Sequence, residues 1–223
     1  MPLDLDQFPW GDIKQEEPAE RVLEFSADEE RRFWEAMRPD YHPIVWFFVT
    51  KGLRKAACVG LTQHRVDLEN LAITVQRKTK KQGLHWSRQR ITQSQAAVLQ
   101  REMALAPGEA VWSYIVQRGP DRGERRPITE PGLNRAMDTA FRAAGIEDFR
   151  IHDLRHDFAS KLLRRTQNLK LVMRALDHSH ISATVRYAHV LDEDVAQGLS
   201  DLEQSRSYPG VSADTDLKKR RNK

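Results

Sequence analysis

Cysteine is almost absent from this sequence; Cys58 stands alone. A disulfide framework is thereby excluded, and a cysteine-based zinc site lacks its ligands, which fits a reducing, cytoplasmic setting. Long apolar runs are missing too. The longest, Ile44 to Val49, falls far short of the roughly 20 residues a membrane-spanning helix needs. The opening residues carry Asp4, Asp6, Asp12, Glu16, Glu17 and Glu20, which is not the make-up of a secretory signal. There is no glycine-rich phosphate loop, no carboxylate cluster suited to Mg²⁺ and no internal repeat. Membrane and nucleotide partners are therefore not expected.

What is present is charge, unevenly placed. The chain carries a net +4. Residues 1–30 hold ten acids against Lys14 and Arg21, a local −8, and the last six residues carry +5, which leaves +7 for the rest. Within residues 51–90, ten Lys or Arg face only Asp67 and Glu69. A positive block inside an otherwise balanced domain makes a local anion site, commonly for nucleic acid. A solvated basic face has the same composition.

The length of 223 residues, 39% of them hydrophobic, suits one globular domain with polar tails. Residues 1–20 read as an acidic tail or linker remnant, 21–200 as the domain, and 201–223 as a disordered basic tail. Ser26 and Glu29 form a capping-box pattern that opens a helix through Met37. The run from Ile44 predicts a buried helix extending through Leu53 and Arg54 to Leu61. Leu71 to Val75 and Gln82 to Ile91 predict two strands, with Arg77-Lys78-Thr79-Lys80-Lys81 as a cationic hairpin tip able to lie along a phosphate backbone. Helices follow from Ser94 and from Thr129, with a short apolar piece at 111–116 between them. Three further helical segments are predicted at 152–165, 167–176 and 181–198.

The segment with most chemical content is His152-Asp153-Leu154-Arg155-His156. On a helix His152 and Arg155 stand three apart and share a side, beside a buried face of Leu154, Phe158 and Leu162. Alone, a histidine beside an arginine is more often structural. The spacing of His152 and His156 also invites a metal, but the glutamate of a zincin is replaced by Asp153, and no metal site is expected. Further on stand Leu176-Asp177-His178-Ser179 and then Tyr187, nine residues after His178.

His-x-x-Arg, Leu-x-His-Ser and that tyrosine, in this order, resemble the C-terminal half of the phage integrase or tyrosine recombinase family. Lys51-Gly52-Leu53-Arg54 is similar to the family's first arginine box, Val66 to Asn70 to the segment after it, and Lys78-Thr79 to its hairpin lysine. The likeness covers about residues 22–198. It implies an α+β, mainly α-helical catalytic domain with a small antiparallel β-hairpin or sheet at one edge. It also implies strand cleavage and rejoining in double-stranded DNA through a 3′-phosphotyrosyl intermediate, with no cofactor, metal or ATP, and other recombinase protomers as partners. By this resemblance Arg54 and Arg155 brace the phosphate with charge-assisted bonds, as guanidiniums do well. His178 donates a further bond, and His152 assists proton movement or the phosphate. Tyr187 is the nucleophile and Lys78, with Lys80 in reserve, protonates the leaving oxygen. Lys51, Lys55, Arg77, Lys80 and Lys81 are the expected DNA contacts.

Three departures stand out. Ala57 replaces the acidic residue usual three places after the first arginine, and Asp177 replaces the usual glycine before the histidine. Only about twenty residues precede the domain, where the family normally carries a helical domain that closes around DNA. A chain limited to these residues is expected to bind DNA weakly and with strong salt dependence. Two alternatives stay open: a catalytically weak or inactive DNA-binding relic, and a type IB-like topoisomerase activity.

Overall fold

The computed structural model describes residues 24–79, 83–188 and 190–191. The acidic segment 1–20, Lys80, Lys81 and the basic tail from 201 lie outside the described residues. The chain runs α1 (Ala27–Ala36), a 3₁₀ turn (Pro39–Tyr41), α2 (His42–Lys51), α3 (Lys55–Val59), β1 (Val66–Asp67), β2 (Ala72–Thr79), β3 (Gly83–Arg90), α4 (Gln93–Leu105), β4 (Ser113–Ile115), β5 (Arg125–Pro127), α5 (Glu130–Ala143), α6 (Ile151–Thr166), α7 (Leu169–Ala175) and α8 (Ser182–Val185). The α+β, mainly helical class expected from the sequence is what is found. The edge sheet is antiparallel in the order β1-β2-β3, and β4 pairs with β5 separately. No helix among the described residues is long and apolar enough to cross a membrane.

Local chemistry accounts for the element starts. Ser26 and Glu29 close the capping box of α1, Thr92 and Gln95 that of α4, and the Thr129 hydroxyl accepts from the Gly132 N–H at the start of α5. Each satisfies backbone donors that helix geometry leaves unpaired. Helix α2 is apolar nearly all round because it runs through the centre: Ile44, Val45, Phe47 and Phe48 are all buried. Phe33 of α1 stacks on Phe141 of α5 with ring centroids 5.2 Å apart, and Trp112 sends its indole N–H to the Cys58 carbonyl at 2.8 Å.

Four expectations need correction. The apolar run from Ile44 is not one helix. It stops at Gly52, which is left-handed (φ 64°), so that Arg54 is the extended residue capping the N-terminus of α3. The hairpin tip is narrower than 77–81, since Arg77, Lys78 and Thr79 belong to β2 and Lys78 pairs with Leu84 of β3. Within the expected 181–198 helix, a turn from Arg186 through Ala188 follows α8; Val190 and Leu191 are helical again, and residues 192–198 lie outside the described residues. Finally, α6 has no single apolar face. Leu154, Arg155, His156, Asp157, Ala159, Ser160 and Leu163 are all buried, because α6 lies between two cores. The larger core spans Phe25 to Leu154 in sequence; the smaller gathers Ala159, Leu163, Val172, Leu176, Tyr187 and Val190.

Candidate active site

Arg155 is the centre of the arrangement. Its side of α6 faces the end of α2 and the loop after α7, and its guanidinium donates to the Gly52 carbonyl and to the Leu176 carbonyl, each at 2.6 Å. Gly52 is required there. A Cβ on it would stand 2.2 Å from Cδ1 of Phe158, besides lying in a backbone region that glycine favours. Burial lowers the Arg155 pKa to about 10, with Arg54 adding to the shift. The group remains a cation at neutral pH. Its two clamped nitrogens fix the plane of a side chain that matches phosphate geometry.

Arg54 is exposed at the start of α3, close enough that its charge disfavours protonation of both Arg155 and His152. His152 stands at the rim of α6. Its pKa is lowered by desolvation first and then by Arg155, against Asp153. Like charges gathered in this way are poised for an anion, whose arrival relieves their mutual repulsion.

His178 follows Asp177, whose φ of 54° is left-handed, the conformation that a glycine adopts most readily and an aspartate tolerates. The Asp177 carboxylate accepts from the Ser87 hydroxyl on β3 at 3.0 Å, so it ties the loop to the sheet. His178 Nδ1 lies 2.8 Å from the hydroxyl of the fully buried Thr184. With Thr184 donating, the proton of His178 is on Nε2, which makes that nitrogen the donor of the ring. Tyr187 sits in the turn after α8, is 1% exposed within the smaller core, and places its hydroxyl 2.7 Å from Nδ1 of His156.

The other expected residues are distributed as follows. Lys51 is buried, and its ammonium donates to Gln89 Oε1 of β3 at 2.7 Å. Lys51, Ser87, Arg88, Arg174, Asp177 and His178 line one cleft of about 530 Å³. Lys55 donates to Asn134 at 3.1 Å and pairs with Glu130 at 3.6 Å. Arg77 and Lys78 lie on β2, whose end leads to the hairpin tip. Ala57 packs against the larger core. The fold thus brings Arg54, His152, Arg155, His178 and Tyr187 into one neighbourhood from four separate stretches of chain. Sequence reasoning passed over His156, weighed only as a metal ligand, and Thr184. The one signal for His156 was its place one turn after His152 on the same helix. Thr184 gave none.

Comparison with known proteins bears directly on this neighbourhood. The model of the phage integrase family matches residues 17–194, which takes in every residue named above. The chain belongs to the phage integrase family. It is 24% identical to the integrase of Salmonella phage P22 over 217 residues, 93% of this chain and 54% of that protein. It is 30% identical to a tyrosine recombinase XerC of Lactobacillus delbrueckii subsp. bulgaricus over 66% of this chain and 49% of that one. The chain therefore spans about half the length of these curated relatives. Among solved structures, the XerA recombinase superposes with a TM-score of 0.61 at 22% identity, covering 81% of this chain and 66% of that one. The catalytic domain of bacteriophage HP1 integrase superposes at 0.55 and 23% identity, covering 84% and 98%. The fold is that of the tyrosine recombinase catalytic domains of this family.

Proposed function

We propose that this member of the phage integrase family is the catalytic domain of a site-specific recombinase, and that it cleaves and rejoins double-stranded DNA through a covalent link at Tyr187. The observation that carries the reading is the cationic neighbourhood around a clamped Arg155, with Tyr187 and His178 at its edge. A phosphodiester is an anion whose transition state spreads charge over its non-bridging oxygens. Arg155 and Nε2 of His178, each held by hydrogen bonds, and the exposed Arg54 supply donors to them. The Tyr187 oxygen attacks phosphorus, the bond to the 5′-oxygen breaks, and that oxygen leaves as a hydroxyl once protonated. Lys78, on the strand leading to the hairpin tip, is the proton source in this scheme. The phosphotyrosyl bond keeps the energy of the broken diester, so religation needs neither metal nor nucleotide.

Double-stranded DNA is the substrate in this reading. A similar structure, the XerH recombinase at TM-score 0.56, is bound to its difH substrate in a post-cleavage complex. Recombination further requires several protomers on DNA. A second reading, a DNA-binding module without turnover, is favoured by Ala57 in the first arginine box and by the burial of the Tyr187 side chain.

Covalent trapping decides between them. The protein is incubated with a nicked duplex, denatured and resolved on a gel. The expected result is a protein–DNA adduct that Tyr187→Phe abolishes. Salt-sensitive binding without any adduct would establish the binding module instead.

A further inference from the structure

We propose that His156, and not His152, orients the Tyr187 phenol and takes its proton as the tyrosine attacks. The inference rests on Tyr187 being the nucleophile. Its first support is geometric. His156 Nδ1 and the Tyr187 hydroxyl are 2.7 Å apart, within the range for direct proton transfer. The imidazole is held in place: it is buried, and it meets the His152 ring edge-on, with centroids 4.8 Å apart and planes at 86°. His152 stands at the rim and is left to face the phosphate.

The groups facing the His156 ring are His152, Asp153 and Arg155 on α6 and Arg186 and Tyr187 beyond α8. Burial, then His152 and Arg186, bring its pKa down to about 4, with Asp153 acting the other way. The ring is thus neutral at physiological pH. With the proton on Nε2, its Nδ1 lone pair points at the phenol. In the step itself the O–H proton passes to Nδ1 as the phenol oxygen bonds to phosphorus. The electron pair of the breaking P–O bond goes to the 5′-oxygen, which is protonated separately. Arg155 and Arg186 disfavour a lasting imidazolium, and Arg155 stabilises the charge developing on the phenol oxygen, so proton transfer accompanies attack instead of preceding it. Religation returns the proton to the tyrosine.

The test measures adduct formation by the full chain on two nicked duplexes, one with an ordinary 5′-oxygen at the scissile bond and one with a bridging 5′-sulfur. A thiolate leaves without an acid, so the sulfur substrate isolates the nucleophile's side of the reaction. His156→Asn, with His156→Ala beside it, is expected to lower adduct formation about 10²-fold on both substrates. Lys78→Ala is expected to be slow on oxygen only. The parent rate should be flat over roughly pH 6 to 9, whereas the His156→Asn rate should rise about tenfold per pH unit as hydroxide replaces the lost base. Circular dichroism and DNA affinity of the Asn variant confirm that it is folded. If that variant cleaves both substrates within about twofold of the parent, or is slow with a profile parallel to the parent's, the proposal is overturned while the role of Tyr187 stands. An adduct that survives Tyr187→Phe, or a parent that forms none, removes the nucleophile assignment and this proposal with it.

Discussion

Lys51 occupies a seat that suits a neutral side chain better than an ammonium. It is 8% exposed, donates to Gln89 at 2.7 Å, and shares its surroundings with Arg155. Burial first and Arg155 second lower its pKa from 10.5 to about 8, while Asp177 pulls it back up. The unfolded chain keeps the lysine proton up to about pH 10.5, whereas the folded protein releases it above about pH 8. Between those values the unfolded state binds more protons, so the Lys51 contribution to stability rises with pH. Below pH 8 both states are charged and the full penalty applies, at most roughly 3 kcal/mol from the size of the shift. Lys51→Met should therefore flatten the dependence of the urea midpoint on pH between 8 and 10, after allowance for the Gln89 amide left without its donor. Identical slopes for parent and variant would show that the ammonium is solvated after all. The sequence marked Lys51 as a DNA contact because it counts charges and cannot see burial.

The break between α2 and α3 decides where two arginines go. The apolar spacing from Ile44 onward continues past Gly52, and periodicity alone reads it as one helix. The stop comes from packing: Phe158 of α6 lies where a side chain at 52 would be. That crossing turns the Gly52 carbonyl to Arg155 and releases Arg54 to the surface. Gly52→Ala is expected to cost about 2–4 kcal/mol, from a left-handed alanine and from overlap with Phe158. Thermal unfolding would register this as a lower Tm, and Phe158→Ala should restore part of it, since neighbours of this kind are not additive. Additive losses would mean that the helices separate freely. Other elements were legible for local reasons. The capping boxes at Ser26 and the Thr129 start announce themselves in a few residues, and so does the hairpin, with only its tip overestimated. Asp177 was legible as a departure but not in its consequence, because its φ of 54° and its bond to Ser87 depend on a strand 90 positions away.

At the scale of the whole molecule, the basic block of residues 51–90 is partly spent inside the fold. Arg65 lies 3.8 Å over the Trp86 ring, Arg88 pairs with Asp67 at 2.6 Å, Lys55 is held by Asn134 and Glu130, and Lys51 is buried. A count of cations therefore overstates the field offered to DNA. Arg174 contributes from outside that block, exposed on the wall of the cleft that also holds His178. Each phosphate that a cation neutralises adds about 0.9 to the slope of log affinity against log salt on duplex DNA. Arg174→Ala should thus weaken binding and reduce that slope by about that amount, measured by fluorescence anisotropy over roughly 50–200 mM salt. Arg88→Ala should change it less, because Asp67 already cancels much of the charge and is left behind when the arginine goes. Equal effects of the two substitutions would mean that DNA displaces Asp67 and recruits Arg88. The reverse order would place the duplex on the sheet and away from the cleft, and the phosphate would then have to reach Arg155 and His178 from the β3 side.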